Sequence, residues 1–188
     1  TGLGAVNNTV RNCNIKAGSS TVTSTIGICA GGTTVSTSGT GANNNNLTIQ
    51  NNNVSKCYYG ITALGVTVTG ENTNLNISNN TIGSNDASDY VLGYGINVAS
   101  ANSPVISGNE IFNMIYDGNK YGMQFGTTVY NATVSKNKIH GLGGSISASK
   151  ACVGIYFNSA TLVSNNTVDN NIIYDMSNFS SAGSNYGP

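Results

Sequence analysis

The sequence predicts an all-β solenoid, about six coils of short parallel strands wound around one apolar bore. Three observations predict it. A motif, apolar-x-x-Asn-x-apolar, returns along the chain, and its fourth positions are separated by 39, 28, 29, 28 and 34 residues. Between successive copies, a glycine stands directly before an apolar-x-apolar triplet. Apolar and polar residues alternate in runs of three to five, with no helical periodicity and only 2 prolines.

The first copy is degenerate: Val10, Cys13 and Ile15 fill the motif, and Gly27-Ile28-Cys29-Ala30 follows. The second reads Ile49, Asn52, Val54 and then Gly60-Ile61-Thr62-Ala63; the third reads Ile77, Asn80, Ile82 and then Gly95-Ile96-Asn97-Val98. Ile106, Asn109 and Ile111 lead to Gly122-Met123-Gln124-Phe125, and Val134, Asn137 and Ile139 lead to Gly154-Ile155-Tyr156-Phe157. The last copy, Val168, Asn171 and Ile173, runs on to Tyr186-Gly187-Pro188, an ending that reads as a cut through a longer array. No coil of this kind buries its apolar face alone, so each must lie on the next. Six coils at about 4.8 Å make a rod of about 25–30 Å, expected to form one domain over residues 1–188.

Asparagine suits the fourth position for two reasons. It tolerates a left-handed backbone at a tight bend, and its amide can bond the amide one coil away. Asn52, Asn80, Asn109, Asn137 and Asn171 are therefore expected to serve both as corners and as an internal ladder. Glycine is expected at the remaining corners, with Ile, Val, Leu and Phe filling the bore.

Charge excludes several partners. Only 7% of residues are charged and the formal net charge is zero, so the chain lacks the basic surface that nucleic acid or an anionic membrane requires. No apolar run approaches a membrane-spanning length. Cys13, Cys29, Cys57 and Cys152 show no CxxC spacing, and the lone His140 has no His or Cys beside it in sequence, which argues against zinc. A disulfide from Cys13 to Cys29 or Cys57 is one reading of the four thiols; burial as small hydrophobes is the other.

The repeat resembles the right-handed parallel β-helix of the pectate-lyase-like superfamily over nearly the whole chain. The Asn-rich phrasing of "NLNISNNTIGS", "VSKNKIHGL" and "VDNNIIYDM" is similar to large Bacteroidota surface proteins exported by the type 9 system. The first resemblance implies either a scaffold or a polysaccharide lyase or hydrolase, and the second an extracellular or cell-surface location.

Enzymes of that fold need clustered carboxylates, with calcium and a Lys or Arg base in the lyases, or two or three acids on neighbouring rungs in the hydrolases. The seven acids, Glu71, Asp86, Asp89, Glu110, Asp117, Asp169 and Asp175, do not converge when placed on the repeat. Glu110 falls opposite Lys138 one coil on, as a surface ion pair. Asp86 and Asp89 in "GSNDASDY" are weak candidates for calcium, and a solvated turn is the simpler account.

The clearer surface signal is aromatic. Three positions past each ladder asparagine, the last three coils place Phe112, His140 and Tyr174 in one outward column; Asn97, Gln124 and Tyr156 form a second, more polar one. Sugars stack on aromatic faces, though such columns also stabilise stacked rungs. Two long inserts, Ile82 to Tyr94 and Leu142 to Val153, crowd one side, where solenoids carry their specificity. The expectation is a non-enzymatic scaffold or adhesin segment, without cofactor, that displays loops to polysaccharide or cell-surface components and adjoins further repeats. A carbohydrate-active enzyme with catalytic coils partly outside the chain is the alternative.

Overall fold

A computed structural model describes residues 4–37, 42–66, 71–144, 150–158 and 164–177, and the backbone of 184–186. The chain forms a parallel β-solenoid whose coils stack in register. Sheet I contains Thr9–Arg11, Thr48–Gln50, Asn76–Ser78, Val105–Ser107, Thr133–Ser135 and Thr167–Asp169. Sheet II follows each of these across the ladder corner, with Asn14–Lys16, Asn53–Ser55, Thr81–Ile82, Glu110–Ile115, Lys138–Gly143 and Ile172–Met176. Sheet III holds Ile26–Ala30, Cys57–Leu64, Val91–Ala99, Lys120–Phe125, Ala151–Phe157 and Ser184–Tyr186. A short sheet IV, Asn72–Thr73, Ala101–Asn102 and Val129–Tyr130, completes three of the coils.

In-register stacking turns each position of the motif into a column. The column Val10, Ile49, Ile77, Ile106, Val134 and Val168 faces the bore from sheet I; Ile15, Val54, Ile82, Ile111, Ile139 and Ile173 face it from sheet II. Full burial of each such side chain contributes about 1.5–3 kcal/mol. Phe125 and Phe157 stack within the same bore at 4.5 Å between ring centres.

The amide ladder runs unbroken from Asn52 to Asn171. Each asparagine Nδ2 donates to the Oδ1 of the next at 2.9–3.0 Å. That Oδ1 also accepts the backbone N–H of the asparagine before it, at 3.0 Å. A second Nδ2 hydrogen bond reaches back to the carbonyl of Val10, Ile49, Ile77, Ile106 or Val134. The ladder thus satisfies the corner's buried polar groups, each of which would cost about 1–3 kcal/mol if left unpaired.

Two expectations about the corners need correction. The left-handed residue is the one before the ladder asparagine: Asn12, Asn51, Asn79, Gly108, Lys136 and Asn170 have φ of 54 to 65°. A residue cannot both turn the chain and aim its amide inward, so the two tasks fall to neighbours. A second left-handed column, Asn7, Asn46, Asn74, Ser103, Asn131 and Asn165, bends the chain into sheet I, and its outer amides bond one another, as from Asn46 to Asn7 at 2.8 Å and from Asn74 to Asn46 at 2.9 Å.

The recurring glycines are not corners either. Gly27, Gly60, Gly95, Gly122 and Gly154 lie inside sheet III strands and face the bore beside the sheet II isoleucines and Val54. A Cβ at Gly95 would stand 2.5 Å from the carbonyl oxygen of Gly122 and 2.7 Å from Ile111 Cγ2. Close approach of rungs, not backbone freedom, therefore selects glycine.

The first predicted insert is shorter than expected, because the sheet III strand already begins at Val91; the loop before it holds a turn of 3₁₀ helix, Ala87–Asp89. The second narrows in the same way, since Leu142 is a buried strand residue, and its residues 145–149 lie outside those described, as do Gly187 and Pro188. All four cysteines are free thiols. Cys57 and Cys152 are buried, Cys13 stands at the ladder corner and Cys29 faces outward, so the thiols point to different sides and no disulfide joins them.

Candidate functional site

The outward column of sheet II forms as its spacing predicts. Phe112 and His140 stack at 5.6 Å with planes 16° apart, and His140 and Tyr174 stack at 4.9 Å and 4°. Glu110, directly opposite Lys138 in the register, accepts from Lys138 Nζ at 2.8 Å and from His140 Nε2 at 3.0 Å through one oxygen, Oε1. These bonds hold the Glu110 carboxyl below its ordinary range and raise the Lys138 ammonium. Because the carboxylate only accepts, the His140 Nε2 proton points at Glu110. Lys138 also lies 6.0 Å from the centre of the Tyr174 ring. One carboxylate, one amine, one imidazole and one phenol are thus brought together on a β-surface.

Stack geometry limits what this column can hold. Its rings lie face to face along the rod, so a molecule alongside meets their edges, while Tyr174, 45% exposed, is the last ring of the column among the described residues. Ring-face stacking against a sugar is therefore concentrated at Tyr174.

A larger aromatic group on sheet III escaped the sequence reading. Tyr59 and Tyr94 stack at 4.5 Å with nearly parallel planes, Tyr94 and Tyr121 at 5.0 Å, and Tyr121 and Tyr156 at 5.6 Å. Tyr58 leans on Tyr59 and Tyr94 and meets Tyr116 edge-on at 5.9 Å. Burial pushes the hydroxyls of Tyr58, Tyr94 and Tyr121 upward, with neighbouring phenols adding to the shift. The missed signal was a Tyr-Gly dipeptide at 59–60, 94–95 and 121–122, directly ahead of the apolar triplets, and again at 186–187.

The second predicted column is half covered. Thr62 and Asn97 are buried, and Asn97 Nδ2 donates to the Thr37 carbonyl at 3.4 Å, which places the segment after Ala30 across the outer face of sheet III. Gln124 stays partly exposed and Tyr156 is exposed, so these two form the open half.

Asp86, Asp89, Glu71 and Asp169 are each held locally. Asp86 accepts from the Ser88 N–H and hydroxyl at 2.9 and 2.8 Å, and these bonds lower its carboxyl. Asp89 pairs with Lys16 at 2.6 Å and lies 3.7 Å from Lys56. Calcium at Asp86 and Asp89 would have to displace these donors. Glu71 accepts the Tyr130 hydroxyl, and Asp169 accepts from Asn170 Nδ2 at 2.9 Å. Among the described residues no three His, Cys, Asp or Glu side chains stand together as a metal site.

Lys120 is another residue that the sequence did not single out. It is wholly buried, and its Nζ donates to the carbonyls of Tyr116 and Gly118 at 2.7 Å each, tying down the turn between sheets II and III. Burial holds its ammonium below the ordinary lysine range. No family model matches the chain, and no curated protein or solved structure is found similar to it.

Proposed function

We propose that the chain is a rigid, non-enzymatic scaffold or adhesin segment of an extracellular or cell-surface protein, presenting its outer columns and loops to glycans or neighbouring surfaces. The observation that carries this reading is the separation of the acids: Glu71, Glu110 and Asp169 each bond a different local partner, and Asp89, which shares the Ser88 hydroxyl with Asp86 in one turn, is paired with Lys16. Acid and base work on a glycosidic bond needs two such groups facing one substrate. The saturated amide ladder and filled bore favour a rigid support for surface features. Membership of the pectate-lyase-like superfamily, and export by the type 9 system, belong to the same proposal and rest on the repeat and on the Asn-rich phrasing. Phe112, His140, Tyr174, Gln124 and Tyr156 are the proposed contact residues, with Tyr174 foremost as the last ring of its stack among the described residues.

The enzyme reading draws on one specific feature, the contact of Glu110, Lys138, His140 and Tyr174. There Glu110 would orient His140 as a base toward an acidic sugar, with Tyr174 as proton donor. A glycan array run beside lyase and hydrolase assays on acidic polysaccharides, with and without calcium, separates the two. Binding without turnover, lost in Tyr174→Ala, supports the scaffold; turnover abolished by His140→Ala overturns it in favour of the enzyme.

A further inference from the structure

Six of the ten tyrosines meet on and beside sheet III, and only Tyr156 of these enters the glycan reading. Tyr59 and Tyr94 stand directly opposite each other in the parallel register, which sets neighbouring strands about 4.8 Å apart. Their rings stack at 4.5 Å with planes 1° apart, the closest and most nearly parallel pair of the group. The other contacts, through Tyr121, Tyr156, Tyr58 and Tyr116, measure 5.0 to 6.2 Å.

Two properties make this group a target for one-electron oxidation. The chain has no tryptophan, so tyrosine is its most easily oxidised aromatic residue. Tyr58, Tyr59, Tyr94, Tyr116 and Tyr121 are half-buried, so a small oxidant reaches ring edges while the rings stay in contact with one another. A phenoxyl radical formed on any of these rings lies against another phenol with which it can exchange. Holding both reactants in contact makes their coupling an intramolecular step, where free phenols must first meet.

We propose that the stack is a site of oxidative cross-linking, where hydrogen peroxide and a one-electron oxidant of the peroxidase class join Tyr59 to Tyr94 by a carbon–carbon bond. Each phenol gives up its O–H proton and one electron. The two phenoxyl radicals couple through ring carbons ortho to oxygen, and the hydrogen on each coupled carbon then moves as a proton to the adjacent oxygen, restoring both phenols. The two electrons and two protons reduce one peroxide to two waters, so the chain loses two hydrogens and no heavy atom. The new bond ties the second coil to the third. In a rod whose coils touch only their neighbours, it keeps two rungs from parting and constrains the unfolded chain between residues 59 and 94. This chemistry is independent of any glycan contact.

Oxidation of the folded chain by a haem peroxidase with hydrogen peroxide tests it, after accessible thiols, which quench such radicals, are capped with iodoacetamide. The expected product is a monomer lighter by two hydrogens, with the blue fluorescence of dityrosine. Proteolysis should release a peptide pair joined through Tyr59 and Tyr94. Tyr59→Phe keeps the stacked ring but has no phenol, so it should abolish that pair while circular dichroism stays unchanged. Tyr174→Phe, on another face, should leave the yield as it is, and oxidation in urea should scatter the links over other tyrosines. The proposal is overturned by a folded chain that yields no dityrosine, by links formed only between molecules, by a principal link at another pair, by a yield that falls as far in Tyr174→Phe, or by the same pattern of links in urea.

Discussion

Val134 and Val168 occupy the same position of the repeat, one rung apart, and both face the bore. Val134 is fully buried and Val168 is 49% exposed. The ladder shows the same contrast more weakly: Asn109 and Asn137 are buried, while Asn171 is only partly buried. The residue type does not set the burial; the rung above does. In a solenoid each coil contacts only its neighbours, so stability is nearly a sum of rung and junction terms, and an end rung lacks one junction.

The sharpest way to break this contrast is the ladder itself. Asn109→Ala removes the bonds to Ile77 and Asn137 and strands the Asn80 amide and N–H, so it should destabilise by about 3–5 kcal/mol. Asn171→Ala, with water at hand to replace the lost partners, should cost only about 1–2 kcal/mol. Urea midpoints of the two variants decide it; equal losses would mean that the ends are as closed as the middle.

Glycine provides a steric version of the same test. A Cβ at Gly95 meets a backbone oxygen and Ile111, whereas among the described residues the nearest atoms to one at Gly154 belong to the Ile173 side chain, at 2.8 Å and beyond. Gly95→Ala should destabilise by about 3 kcal/mol and Gly154→Ala by about 1–2 kcal/mol, measured in the same way.

Alkali sharpens the comparison by titrating groups that the inner rungs cover. Burial pushes the Cys57 thiol up to about 12 from its ordinary 9.0 and raises Tyr58, Tyr94 and Tyr121 above 10.0. The unfolded chain releases these protons first, so the stabilisation is intact below the ordinary values and is lost as pH rises through the folded ones. Cys57 alone accounts for about 3–4 kcal/mol by the end of that window. Tyrosinate absorbance from the stack should appear together with loss of the β signal in circular dichroism; ionisation well before unfolding would refute the coupling.

The smallest effect belongs to the outer face. Glu110 is depressed by Lys138 and His140, so its contribution is present above the ordinary carboxylate range and is lost as pH falls below it. Both partners of the pair are substantially exposed, which limits the effect to below about 1 kcal/mol. Glu110→Gln should flatten the acid limb of stability slightly, as followed by melting temperature against pH, and a large loss would show that the pair does more than sit on a surface.

Much of the fold was legible because parallel in-register stacking converts sequence period directly into columns. Asn52, Asn80, Asn109, Asn137 and Asn171, the glycine series and the stack of Phe112, His140 and Tyr174 all follow from counting residues. The union of His140 with Glu110 was not legible, since it joins different columns across a rung. Lys120 gave no signal, because the carbonyls it ties down come from its own turn. The tyrosine group was readable in principle, since Tyr59, Tyr94 and Tyr121 each stand directly before a glycine of the repeat.

The sequence by itself determined the solenoid and the content of each column, because near-identical rungs leave little choice of partner. Only the tertiary structure decided how much of each column is covered. Among the described residues, Asn97 lies under the segment after Ala30 and Gln124 does not; Val134 has a rung on either side and Val168 on one. Periodicity is a local property of the chain. Coverage depends on which distant segment comes to rest on a face, and no repeat encodes that.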